Sequence, residues 1–441
     1  MNTSYLYLCY LFTCVKIISM LFVYMYKIML DHLRLSVPVY STYVVERGKG
    51  NFYFEGDILS LGLNCAARIV KYDDENGKVK AHDLYAPYDT LGTDFSDMAI
   101  KFYDKGINCL PYLELKASPL KLLQGHNIFG FESIELGAIE MLGLVTEALP
   151  ELCSYLDFSK TEVLHIDTTY MATLPNQSLV PKVLEYLSNV SSGHAKSQNL
   201  RYQNYVRWGV QNSRYIGRKV YGKHDEVEQQ IKKLKKQAGT DVQALNKLNA
   251  ISKVKDFANA KLRFEARICK TYLTKNGYPS NLFELIKLQN EHPKLLQDFW
   301  KLAFNPIFEA LKGEKVILSN DDSVLELLKS KLFNVTRAGN ISYTKAFNAY
   351  NFYKAIKSDG YEKVKLQFCG TENANTSQKS VFYKNVKTLV DCGISKAHLQ
   401  NIHNEQMNII PFVQMCDINF DCQSPSDYVV PVSKYQLPLV A

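Results

Sequence analysis

The 441-residue sequence has no Cys-x-x-Cys pair, no internal repeat and no low-complexity segment. The first absence argues against a zinc ribbon and against thioredoxin-type redox chemistry. The second removes repeat architectures, and the third, with 46% hydrophobic and 22% charged residues, removes a disordered chain. Ten cysteines are scattered singly from Cys9 to Cys422, a usage suited to free thiols in a reducing cytoplasm. Cys269, inside an alternating run, reads as a buried strand residue. The length is enough for two domains.

Charge is unevenly placed. His194 to Lys275 holds 19 Lys/Arg against 6 Asp/Glu, a net of +13, so with +8 for the whole chain the remainder carries −5. A basic segment on an otherwise acidic protein suggests a polyanion site, although a solvated helix face would look the same.

The apolar run Tyr5–Tyr26 is long enough to span a bilayer, but Lys16 in its middle costs a few kcal/mol on insertion. It has no basic upstream flank and no small-residue cleavage site, which argues against a signal peptide. From Met29 onward Leu30, Leu33, Leu35 and Val37 bracket polar positions, as in a first strand. The expectation is therefore that residues 1–28 form an extension from an upstream start rather than a membrane anchor.

Residues 30–116 read as strands separated by turns, with a hairpin in "ARIVKYDDENGKVKAHDLY". Helical spacing marks 131–149 and "SLVPKVLEYLSNV", and period two returns at 161–175. "NYVRWGVQNSRYIGRKVYGK" reads as a second hairpin turning near Gln211–Arg214. A basic helix is expected from Glu226 to about Ala260, then a strand in "AKLRFEARICKTYL". Gly277 and Pro279 punctuate the chain, helices dominate afterwards, and 370–380 reads as a polar loop. The expected fold is α+β: an antiparallel-sheet domain over 29–276 and a mostly helical DNA-binding or accessory domain over 277–441.

Alternate residues of a strand share a face. Tyr112, Glu114 and Lys116 share one, His165 and Asp167 another, Arg263, Glu265 and Arg267 a third, and Lys219, Tyr221 and Lys223 a fourth. If these strands share a sheet, three carboxylates converge beside a tyrosine flanked by lysines. Carboxylates suit Mg²⁺ or Mn²⁺, and such an ion neutralises charge at a phosphodiester under attack. A tyrosine beside it can be the nucleophile, with lysines favouring its phenolate. The product would be a phosphotyrosine bond and a free 3′-hydroxyl. Taken singly, each of these residues has a plainer reading, a surface carboxylate or a packed ring, and His126 in "QGHNIFGFES" is unspecific alone.

The blocks "YLELKASPLKLLQGHNIFG", "HIDTTYMA", "SRYIGRKVYGKH", "LRFEARICKTYL" and "LVDCGISKAHLQN" resemble the replication initiators of filamentous phages, the gene II protein family, in order and spacing from Met29 nearly to the C-terminus. "WGVQNS…VYGKHDE" is also similar, over a shorter stretch, to a signature of plasmid initiators. The resemblance implies rolling-circle replication: a metal-dependent, site-specific DNA endonuclease binds the double-stranded origin, nicks the viral strand, stays linked through tyrosine, and rejoins the displaced single strand into a circle. It implies a host helicase and a host DNA polymerase as partners, self-association on the origin, and the bacterial cytoplasm as location.

The resemblance places the nucleophile at Tyr221, with Lys223 and Lys219 supporting charge. Glu114, Asp167 and Glu265 are the expected metal ligands, with His126 as a fourth. His165 is a weaker ligand choice, because the family usually has arginine there. Lys232, Lys233, Lys235, Lys236 and Arg218 are expected on DNA phosphates. The competing readings are an origin-binding regulator without catalysis and a membrane-anchored protein.

Overall fold

The computed structural model describes residues 28–56, 61, 63, 70–73, 78–81, 88–191, 197–198, 204–210, 213–311, 321–337, 339–370, 376–403, 420 and 423–436. The apolar run at 5–26 lies outside them. Among the described residues no helix is long and apolar enough to cross a membrane.

Nine strands form one antiparallel sheet. In chain order they are β1 (Met29–Pro38), β2 (Asp89–Gly92), β3 (Asp97–Tyr103), β4 (Tyr112–Ala117), β5 (Glu162–Thr173), β6 (Ser197–Gln198), β7 (Tyr205–Trp208), β8 (Ile216–Gly222) and β9 (Lys261–Cys269); in space they run β6-β7-β8-β9-β5-β1-β4-β3-β2. Period-two sequences build this sheet because one face carries apolar side chains into a core and the other carries polar and charged ones. Leu33, Leu35 and Val37 of β1 are fully buried, as are Leu113 and Leu115 of β4 and Leu262, Ala266 and Ile268 of β9. The helices α1 (Pro119–Gln124), α2 (Ile134–Ala148) and α3 (Leu179–Asn189) pack around it, followed by α4 (Lys223–Gln237), α5 (Val242–Val254), α6 (Leu282–Glu291) and α7 (Leu295–Leu311). Trp300 of α7 donates its indole N–H to the Phe264 carbonyl of β9 at 3.1 Å, and Phe304 packs edge-on to Phe264.

The α+β class and antiparallel sheet agree with expectation, as does the hairpin pairing 70–73 with 78–81, whose turn lies outside the described residues. Four local expectations are corrected. The basic helix is two helices, broken where Asp241 accepts from the Gln243 and Ala244 amides and so starts α5. The strand at 261 ends at Cys269 and a short helix takes Lys270–Lys275. Helix starts by Thr376, inside the expected loop, of which 371–375 lie outside the described residues. Cys269 is half-buried rather than buried, its thiol facing the Ser213 carbonyl.

The apolar core under the sheet continues past residue 277, through α6 and α7. A second apolar core begins at Val324. It is formed by α8 (Asp321–Lys331), α9 (Thr344–Asp359), α10 (Tyr361–Cys369), α11 (Thr376–Asp391) and α12 (Lys396–Asn401), with a hairpin of β10 (Asn334–Val335) and β11 (Ile341–Ser342) between α8 and α9 that stays outside the core. The C-terminal segment returns to the first unit, where Gln423 bonds both backbone groups of Met171 at 2.7 and 3.0 Å.

Candidate active site

The polar face of the sheet carries the chemistry. Cross-strand partners are His32 with Asp167, Arg34 with His165, Asp167 with Arg267, Glu265 with Lys219, and Arg263 with Tyr221. A register shift between Leu30 and His32 adds one residue to β1. Such a bulge re-aims side chains, and here it lets the adjacent Asp31 and His32 both serve the polar face.

His32, His165 and Asp167 each bring one ligand atom within 4.8 Å of the others. The His165 Nε2 and His32 Nδ1 atoms are 3.2 Å apart and the two rings stack with centroids 5.2 Å apart. Burial lowers both imidazoles, His165 far below its ordinary range with the Arg267 guanidinium adding to it. They are therefore neutral at physiological pH, the form that ligates a metal. Arg267 grips Asp167 with two bonds of 2.7 and 2.6 Å, fixing the carboxylate's orientation. Two neutral imidazoles and an oriented carboxylate fit a divalent cation.

Glu265 joins this group to the tyrosine. Its carboxyl is raised by burial and then by Asp31 and Asp167, so it holds a proton more readily than an exposed glutamate. The Tyr221 hydroxyl lies 3.4 Å from Glu265 Oε2, and the Lys219 ammonium sits 4.4 Å from the Tyr221 ring centroid. Burial raises the Tyr221 phenol well above its ordinary value, with Glu265 adding to it and Arg263 opposing it. The phenol therefore stays protonated until a base takes its proton.

A buried ionic network lies beside the tyrosine. Arg263 pairs with Asp31 at 2.7 Å, and Asn127 donates to Asp31 at 2.7 Å. Burial alone would raise the Asp31 carboxyl, but Arg263 and Lys223 hold it well below the usual carboxylate range. Lys223 donates to Asn127 Oδ1 at 2.9 Å and pairs with Glu226. Burial pulls its ammonium down to about 8.

Lys223 is the first residue of α4 rather than a strand residue, and, fully buried, it meets the Asp31–Arg263 network beside Tyr221 through Asn127. Glu114 shares the sheet face but is held by Arg34 at 2.6 Å and by the Tyr88 hydroxyl, and it stands outside the three-ligand group. His126 is also outside it, buried with its ring edge-on to Phe129, and burial lowers it to about 4. Of the four expected ligands, Asp167 belongs to the group and Glu265 adjoins it. His165 is a member, and His32 was not anticipated. The signal for His32 was a polar position in β1, alternating with leucines, on a strand that turns out to neighbour β5. Lys232, Lys233, Lys235 and Lys236 are exposed on α4. Arg218 alternates with Lys219 on β8 and its guanidinium donates to the Ala303 carbonyl of α7, while it also contributes to the wall of the cleft over His165 and Glu265.

A cleft of about 540 Å³ opens over His165 and Glu265, lined by Arg34, Arg207, Arg214, Lys219, Arg267 and Lys270. Cationic walls around one glutamate draw an anionic substrate.

The family described as the N-terminal part of the gene II replication-associated protein matches residues 29–292, and the one described as its C-terminal part matches residues 335–434. The replication-associated protein of this type from Salmonella phage IKe is 35% identical over 420 residues, covering 92% of this chain and 97% of the relative. The proteins of the same description from Enterobacteria phages fd and M13 are 33% identical, covering 92% of this chain and all of each relative. No solved structure matches the chain. With His32, His165, Asp167, Glu265 and Tyr221 all inside the first matched region, the chain belongs to the filamentous phage gene II replication-associated protein family.

Proposed function

We propose that the chain is a rolling-circle replication initiator with a nuclease core of that type: a metal-dependent DNA endonuclease that nicks the viral strand at the double-stranded origin and later rejoins the displaced strand into a circle. The observation that carries this reading is the row on one sheet face: three ligand atoms within 4.8 Å, then Glu265, then the Tyr221 hydroxyl 3.4 Å from it.

His32, His165 and Asp167 would hold Mg²⁺ or Mn²⁺, which when bound supplies positive charge to the non-bridging oxygens of the scissile phosphate. Arg34, Arg207, Arg214 and Lys270 bind neighbouring phosphates along the cleft. Glu265 takes the Tyr221 proton, and Lys219 favours the phenolate from above the ring. The phenolate oxygen then bonds to phosphorus as the bond from phosphorus to the 3′-oxygen breaks. That oxygen takes up a proton and leaves as a 3′-hydroxyl, a primer for host polymerase, with a host helicase separating the strands. Closure is the reverse, a 3′-hydroxyl attacking the phosphotyrosine and Glu265 returning the proton to Tyr221. Lys232, Lys233, Lys235 and Lys236 add sequence-independent contacts to the origin duplex.

Supercoiled replicative-form DNA carrying the cognate origin is the test substrate. Wild type should relax it in the presence of Mg²⁺ or Mn²⁺, whereas Tyr221→Phe should bind the origin and leave it supercoiled. Binding without nicking by the wild type would instead identify an origin-binding regulator.

A further inference from the structure

One segment of the second unit combines exposed apolar side chains with an excess of cations. From Lys329 to Phe347 the chain carries four Lys or Arg residues and no Asp or Glu. Within the same stretch Phe333, Val335, Ile341 and Phe347 are 51, 63, 57 and 47% exposed. Val335 and Ile341 face each other as cross-strand partners in the β10–β11 hairpin, Phe333 directly precedes β10, and Phe347 stands in the first turn of α9. Gly339, at φ +79°, takes the left-handed conformation that the hairpin turn needs. Arg337 at the tip and Lys345 at the start of α9 are exposed. The Lys329 ammonium lies 5.8 Å from the Phe347 ring and 6.0 Å from the Tyr343 ring, while pairing with Glu326 at 3.0 Å. A lone exposed apolar residue is ordinary, but four within 15 residues, two on the hairpin and two flanking it, beside cations mark a binding surface.

We propose that this hairpin is a second nucleic-acid site, separate from the cleft, that takes single-stranded DNA. Unpaired bases would stack on Phe333 and Phe347, and Arg337 and Lys345 would hold the flanking phosphates. Stacking on aromatic side chains tolerates any sequence because every base has a flat face. Duplex DNA offers this surface only phosphates, since its bases are stacked on one another, and leaves the exposed rings without a role. An apolar protein partner would not account for a stretch of cations without a single acid. The inference rests on the proposed function only for which strand occupies the site, namely the strand displaced during replication.

The probe is a labelled thymidine oligonucleotide of about 20 nucleotides, long enough to span an aromatic and cationic platform of this kind. Measured on the full chain, Phe333→Ala with Phe347→Ala should weaken its binding roughly tenfold or more, the loss of one or two stacked bases. Affinity for a random duplex and nicking of origin DNA should stay within about twofold, since phosphate contacts dominate duplex binding. Phe347→Trp should keep wild-type affinity and lose more emission than the wild type does when the oligonucleotide is added; the wild type is the control because Trp208, although 1% exposed, lines the cleft, whereas Trp300 is 0% exposed. Unchanged oligonucleotide affinity in the double variant, an equal loss for duplex and single strand, or no quenching in Phe347→Trp beyond that of the wild type would overturn the proposal. Quenching in a chain that never nicks origin DNA would overturn the initiator reading and leave this one standing.

Discussion

Glu265→Gln should separate activity from stability in opposite directions. Glu265 is the group between Tyr221 and the three metal ligands, and its neighbours include two further carboxylates, Asp31 and Asp167. Gln keeps the size and shape but accepts no proton. Loss of a positioned base costs roughly 10² to 10⁴ in rate, which at 1.36 kcal/mol per decade is about 3 to 5 kcal/mol of barrier. The resting contact of 3.4 Å is long, so little ground-state binding is lost with it. Stability moves the other way. Burial and like charges raise the Glu265 carboxyl, so the fold favours its protonated form. A raised carboxylate binds more protons folded than unfolded, and its contribution to stability falls as pH climbs above the ordinary glutamate value of about 4.3. Gln has no such dependence. The variant should therefore melt at or above the wild-type temperature near neutral pH, with the difference vanishing in acid. Single-turnover nicking beside thermal melts from pH 4 to pH 8 reads both effects. A variant that nicks like the wild type, or that melts lower at neutral pH, would refute the reasoning.

Asp31→Asn should lower stability by about 3 to 5 kcal/mol, because it strands the fully buried Arg263. Asp31 is held below the usual carboxylate range, so its stabilisation is present above about pH 4 and lost as pH falls further; the acid limb of a denaturation profile should be shallower in the variant. His32→Ala and His165→Ala should each weaken Mn²⁺ binding at least tenfold by calorimetry, whereas Glu114→Gln should leave it within about threefold, since Glu114 is engaged by Arg34 outside the ligand group. Replacing Lys232, Lys233, Lys235 and Lys236 together by Gln should reduce the salt slope of DNA binding by roughly two units and weaken specific and random duplex alike; an unchanged slope would place α4 away from DNA.

The sheet was legible because its strands bury one face. Alternation in Leu30–Val37, Leu113–Leu115 and Leu262–Ile268 marks both the strands and the side on which Asp167, Lys219, Tyr221 and Glu265 would meet. Three site features were not legible. Periodicity within one strand carries no information on which distant strand lies beside it, so nothing local announced that β1 pairs with β5 and brings His32 to Asp167. The bulge that readmits His32 to the polar face breaks the alternation that a sequence reading relies on. The change from period two to a helical turn at Gly222 falls within one residue, and a reading that carries the strand on to Lys223 misses that this residue opens α4 and is fully buried. Glu114 shows a different limit: its face was read correctly, but its partner Arg34 lies 80 residues away and claims the carboxylate. Amphipathic spacing likewise identified α6 and α7 as helices without saying that they would join the sheet's core.

The most direct test of the central claim is the mass of the covalent complex. The chain is incubated with a single-stranded oligonucleotide spanning the cognate nick site and a divalent cation, denatured, and digested with protease and nuclease. The account predicts a peptide containing Tyr221 that carries a 5′-linked nucleotide phosphate, with the other product ending in a 3′-hydroxyl. Attachment at any other residue, or cleavage that leaves a free 5′-phosphate and no nucleotide on protein, would contradict it.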